Sequence, residues 1–205
     1  NGVKIFDEVI RLADYGRDEI NKLGGYYAYS KERTNGDTFF AFDTTKLSVF
    51  TRNIGLTGVE VYDLLRDEYG IQIEFGDLGN FLAVISVGDR ERELERLVSA
   101  LSEIKRRYSK DPYGLLDHEY IHPTVDMTPQ SAFYADKISL PIAECAGRIA
   151  AESVMCYPPG IPIVAPGERI TKEIIDYIVY AKNKGSFMTG TEDIAVNEIC
   201  VVKGR

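Results

Sequence analysis

Residues 71–87 read IQIEFGDLGNFLAVISV. Ile71, Ile73 and Phe75 alternate with Gln72 and Glu74, the period-two pattern of a half-buried strand. Residues 77–80, DLGN, are turn formers. The run 81–87 is apolar and predicts a second strand. Outward from this hairpin, residues 56–69 predict a helix with Val59, Tyr62, Leu65 and Tyr69 buried and Gly70 ending it. Residues 47–51, LSVFT, predict a further strand. On the other side Asp89 is placed to cap a charged helix running to Tyr108, with Leu94, Leu97, Leu101 and Ile104 on its buried face. Residues 3–23 repeat the helical period through Phe6, Val9, Ile10 and Ala13, and Gly24-Gly25 stops them. Strand, helix, strand, strand, helix predicts an α/β sandwich, one sheet with helices on one side.

After residues 109–112, SKDP, the composition shifts. The prolines cluster between Pro112 and Pro166, which marks a loop-rich part stiffened by fixed φ angles. Thr128-Pro129 predicts an N-cap and first helical residue of a short helix to about Ala135. Residues 138–142 and 148–154 predict extended segments, and 157–167 a stiff Pro/Gly loop. Thr171 opens a last helix to Lys184, buried through Ile174, Ile175, Ile178 and Val179. Residues 194–202 predict a closing strand. The fold class is α+β.

The chain has 205 residues, 44% of them hydrophobic and 27% charged, with a net charge of −8. No basic stripe suits nucleic acid, and no apolar run approaches the ~20 residues of a membrane helix. Acidity fits solubility, or attraction of a cationic ligand. Cys145, Cys156 and Cys200 are far apart and form no paired framework, which predicts buried thiols in a reduced, cytoplasmic setting. The N-terminus, Asn1-Gly2-Val3-Lys4, has neither an initiator Met nor a signal pattern, and predicts a chain processed or cut from a longer one.

Residues 118–122, HEYIH, match the zinc-protease pattern, in which two histidines one turn apart bind the metal. Pro123 pushes His122 out of the α region, and Pro112 and Gly114 stand just upstream, so no long helix carries the motif. A zinc hydrolase is the weakest reading. Gly76 and Gly79 form no phosphate-loop pattern, and no G-x-S-x-G elbow is present. The unusual stretch is 142–171, where Glu144, Glu152 and Glu168 punctuate apolar, Pro/Gly-rich sequence. A carboxylate there needs a partner or water. Each either pairs with Arg148, Arg169 or a backbone donor, or faces a cleft that receives a cation.

Tyr157-Pro158-Pro159-Gly160-Ile161-Pro162, then Pro166-Gly167-Glu168 and Ile170-Thr171, resemble the C-terminal domain of bacterial ornithine/lysine/arginine decarboxylases. So do residues 147–152 (GRIAAE) and 127–133 (MTPQSAF). Upstream, residues 43–47 (DTTKL), 55–58 (GLTG) and 69–74 (YGIQIE) resemble the same family in the same order.

The resemblance implies a type I, aminotransferase-like fold dependent on pyridoxal phosphate (PLP). The family's Ser-x-His-Lys element, which carries the cofactor lysine, is absent from this sequence. Residues 1–24 would be the helix leaving a PLP-binding large domain, 25–110 the small α/β domain and 111–205 the family's C-terminal domain. The parent would release CO2 from arginine, lysine or ornithine, with the cofactor ring as electron sink. This portion would hold no PLP and no catalytic residue. It would supply cleft wall, substrate access and dimer surface to a homo-oligomer. Glu144, Glu152, Tyr157 and Glu168 are the candidates to receive a cationic amino-acid substrate. A stand-alone module binding polyamines or basic amino acids is the alternative.

Overall fold

The computed structural model describes residues 2–112, 121–157 and 160–204. The chain divides into two compact units, Asn1–Leu115 and Leu116–Arg205.

In the first unit α1 (Gly2–Lys22), α2 (Gly58–Asp67) and α3 (Glu91–Tyr108) pack on an antiparallel sheet of order β1-β2-β4-β3, formed by β1 (Tyr27–Ala28), β2 (Lys46–Phe50), β3 (Phe75–Gly76) and β4 (Asn80–Val84). Leu47 lies opposite Ala83 and Val49 opposite Phe81. Directly paired residues share a face, so these four buried side chains form one apolar surface. It meets Val9, Leu12, Ala13 and Ile20 of α1, Val61 and Leu65 of α2, and Leu94, Leu97, Leu101 and Ile104 of α3 in a single core.

The helices obey their sequence signals, with shifts of face. In α2 the Thr57 hydroxyl accepts the Glu60 amide at 3.1 Å, and the Glu60 carboxylate accepts the Thr57 amide at 2.8 Å, a reciprocal capping box. The buried stripe of α2 is Gly58, Val61 and Leu65; Val59, Tyr62 and Tyr69 are half-buried. Gly58 sets this rotation, because it lies flat against β3: a Cβ on Gly76 would sit 2.2 Å from the Gly58 carbonyl oxygen. In α1, Val9 and Ala13 are buried as expected, but Phe6 and Ile10 are 56% and 40% exposed, so the first two turns leave an apolar stripe open.

Two further expectations are corrected here. Strand structure begins at Phe75, not Ile71: Gly70 turns the chain at φ 59° and Ile71 donates back to Leu65. Asp89 does not cap α3. Its carboxylate closes the preceding turn on Ser86 (2.7 Å to N, 2.8 Å to Oγ), and Arg90 is the cap residue. The turn at 77–80 is as expected: Asp77 Oδ1 accepts the amides of Gly79 (2.7 Å) and Asn80 (2.6 Å). The Gly76 and Gly79 pair therefore serves packing and turning.

The second unit holds α4 (Pro129–Phe133), α5 (Lys172–Asn183), a two-stranded ladder of β5 (Lys137–Pro141) with β9 (Glu198–Val202), and a three-stranded sheet of order β7-β6-β8, formed by β6 (Val154–Tyr157), β7 (Ile161–Val164) and β8 (Phe187–Thr189). Thr128 caps α4, with Pro129 opening it, and Thr171 caps α5 through the Ile174 amide at 3.2 Å. Three corrections apply. The stretch 157–167 contains half of a hairpin, β6 against β7, because Ile161 and Val164 can pair although Pro162 cannot donate. The extended segment expected at 148–154 is reduced to single bridges at Ile149 and Ala150 before β6 begins. Val179 is 41% exposed, and Ala181 takes its place in the core.

Candidate functional site

The Glu152 carboxylate organises the second unit. It is 6% exposed, and its two oxygens accept the amides of Cys200 and Glu192, each at 2.8 Å. A buried carboxylate is tolerated only when so satisfied. Of the two readings of Glu152 left open by the sequence, the backbone-donor one is realised. The residue ties the chain before β6 to β9 and to the loop that leads into it.

Glu152, Glu192 and Cys200 bring one ligand-type atom each within 4.8 Å of one another. Every member is engaged. Glu192 pairs with Lys137 Nζ at 2.6 Å, and burial, then the charges of Glu152 and Glu192, push the Cys200 thiol up to about 11. The Glu152 carboxylate, on the amides of Glu192 and Cys200, makes this cluster a structural knot.

The other candidates lie apart from it. Glu144 is exposed at the end of a 3-10 turn, Ile142–Glu144. Glu168 is half-buried, and its Oε2 accepts the Ala165 amide at 2.9 Å. Tyr157 is 55% exposed at the end of β6, paired across the sheet with Phe187, itself 60% exposed. Among the described residues no hydrogen bond or ion pair joins any two of the four. Arg169, offered by the sequence as a partner for these glutamates, instead pairs with Asp126 at 2.9 Å and donates to the Gly147 carbonyl at 2.6 Å. Phe187 was not anticipated, since no element was expected between Lys184 and residue 194, where β8 lies. His118 and Glu119 of the HEYIH stretch lie outside the described residues, and His122 is exposed.

The first unit carries acidic clefts. One, between α1 and α3, is lined by Tyr15, Leu23 and Val98 together with Glu19, Glu95 and Glu103. Another is lined by Leu56, Leu64, Tyr108, Glu60, Asp63 and Glu68. Burial first, then Glu19, Glu95 and Glu91, raise the Tyr15 phenol.

Comparison with known proteins places this architecture. Residues 116–194 match the model of the Orn/Lys/Arg decarboxylase C-terminal domain, and the chain as a whole is similar to a C-terminal portion of decarboxylases. It is 38% identical, over 98% of its length, to arginine decarboxylase of Bacillus subtilis. It is 37% identical, over 99%, to arginine decarboxylase of Halalkalibacterium halodurans. It spans 42% of each of those relatives. Its fold follows that of the lysine decarboxylase LdcF of Francisella novicida, with a TM-score of 0.73 at 20% identity over 98% of this chain and 40% of that one.

The family's cofactor does not fit the clefts described here. PLP needs an amine-bearing lysine and donors for a phosphate dianion. None of the chain's lysines is buried. Lys110, in the second cleft, is paired with Glu60 at 2.9 Å. Both clefts present carboxylates, which repel phosphate, and Arg106, which lines the first, is paired with Glu103 at 3.2 Å.

Proposed function

We propose that this chain is the cofactor-free C-terminal half of a PLP-dependent decarboxylase that acts on a basic amino acid in the cytoplasm. In this reading residues 1–24 lead from a PLP-binding domain, 25–110 form the small domain and 111–205 the C-terminal domain. The parent releases CO2 from arginine, lysine or ornithine to give agmatine or a diamine. The single observation that supports it most is the end-to-end likeness to arginine decarboxylases, which runs through both units.

The chain contributes wall and access to the substrate cleft and surface to a homo-oligomer, and it is inactive alone. Glu144, Tyr157 and Glu168 are its candidates for contact with a cationic side chain, since carboxylates and aromatic faces suit ammonium and guanidinium. Glu152, the fourth candidate, holds the chain before β6 to the amides of Glu192 and Cys200.

Titration of the isolated chain with PLP tests the division of labour. The expected outcome is no absorbance band of a lysine Schiff base. A stoichiometric band, abolished by replacing one lysine, would place the cofactor here.

A further inference from the structure

Asn35-Gly36 lies in an exposed loop of the first unit. The Asn35 side chain is fixed there. Its Oδ1 accepts the amides of Asp37 (2.9 Å), Thr38 (3.0 Å) and Phe39 (3.0 Å), while Nδ2 donates to Thr38 Oγ1 at 2.9 Å. The Asn35 amide itself donates to the Phe39 carbonyl at 3.0 Å, which closes the loop. Three N–H groups converging on one carbonyl oxygen would also face negative charge gathering on it, as the donors of an oxyanion hole do. Gly36 has φ 73°, and nothing lies within 4 Å of where its Cβ would be, so no side chain of its own or of a neighbour crowds that side of the residue.

We propose that Asn35 is a self-modification site, at which its side-chain amide is converted to an acid with the Gly36 nitrogen as nucleophile. The Gly36 N–H gives its proton to a solvent base, and the nitrogen bonds to Asn35 Cγ. Negative charge gathers on Oδ1, where the three amides already point. The Cγ–Nδ2 bond then breaks, and Nδ2 leaves as ammonia after taking a proton from water or from the adjacent Thr38 hydroxyl. The product is a five-membered imide. Water opens it at Cγ to leave aspartate at position 35, or at the main-chain carbonyl to leave an isoaspartyl linkage. No oxidant or cofactor enters.

The two products differ in consequence. Aspartate keeps an oxygen in the cradle and gains charge-assisted bonds to the same amides. The isoaspartyl form adds a methylene to the main chain, turns Oδ1 into a peptide oxygen and leaves the former main-chain carbonyl as a pendant carboxylate. That loosens the loop which stacks Phe39 on Phe42 and holds Phe42 beneath Arg17, 5.1 Å from ring centroid to guanidinium.

The test is to incubate the folded chain at mildly alkaline pH and follow the tryptic peptide 34–46 by mass and by isoaspartyl methyltransferase labelling. A synthetic peptide of the same sequence runs in the same buffer. Cleavage after Lys4 separates the other Asn-Gly pair, Asn1-Gly2. The cradle predicts conversion at least about threefold faster in the folded chain than in the free peptide, a small part of what oxyanion donors give enzymes. Equal or slower conversion in the folded chain would overturn the proposal. In Gly36→Ala, whose Cβ hinders the nucleophile, conversion should fall by about tenfold or more; an unchanged rate there would overturn it too.

Discussion

Glu152 accepts the backbone amide of Cys200 at 2.8 Å, across 48 residues of sequence. With its second oxygen on the Glu192 amide, this buried carboxylate holds together segments that share no continuous sheet. Glu152→Ala leaves two amides without their acceptor and should destabilise the second unit by about 2–4 kcal/mol. Glu152→Gln keeps one acceptor and should cost less. Urea unfolding of the isolated chain checks the order; equal stability of all three proteins would remove Glu152 from this role.

The same knot predicts thiol reactivity. Burial raises both Cys145 and Cys200, the latter to about 11, so neither forms thiolate near neutral pH in the folded chain. A thiol-specific reagent at pH 7.5 should leave both unmodified until denaturant is added, as peptide mapping of the labelled protein would report.

Arg17 is the matching anchor of the first unit. It is 2% exposed, bonded to Asp14 at 2.8 Å, and donates to the carbonyls of Tyr29 (2.6 Å) and Thr44 (2.9 Å). Burial lowers its pKa, against the opposing charge of Asp14. Arg17→Met should cost about 2–3 kcal/mol, since buried carbonyls lose their donor, and Arg17→Lys should recover only part of this, because an ammonium cannot reproduce the fork. Thermal unfolding of the two variants measures both.

Asp193 supplies a pH signature. Its carboxylate accepts the amides of Asn197 (2.7 Å), Glu198 (3.1 Å) and Ala195 (3.0 Å), and these hold it below the usual carboxylate range. They also hold Val196 at φ 48°, a conformation a β-branched residue seldom takes. A carboxyl depressed in the folded state stabilises fully above its unfolded value and loses that contribution as pH falls through the folded one. Stability should therefore decline below about pH 4, and Asp193→Asn should flatten that limb while lowering stability at pH 7. Urea midpoints at pH 7 and pH 3 test both halves.

Where the sequence was legible, local signals and tertiary packing agreed. Thr128 and Thr171 announced their helices because a hydroxyl before an apolar run has one good use, whereas the Thr57 capping box emerged only in the structure. The apolar run from Phe81 and the short run from Leu47 located the two central strands of the first sheet. The shifts arose from packing. Gly58 pressed against Gly76 turned α2 toward Val61, and Phe6 and Ile10 kept the helical period without meeting the core. Within 142–171 the glutamates were visible as unusual, but which would be satisfied by backbone depended on partners 40 and 48 residues away. The β6–β7 hairpin was hidden because proline density reads as loop, although an edge strand tolerates Pro162.

The central claim is tested most directly by a chimera of the Bacillus subtilis arginine decarboxylase in which this chain replaces the corresponding C-terminal portion. CO2 release from arginine, lysine and ornithine is measured beside this chain alone. The account predicts release from at least one of the three by the chimera and none by the chain alone. A folded chimera that binds PLP yet releases CO2 from none of them, or release by the chain alone, would contradict it.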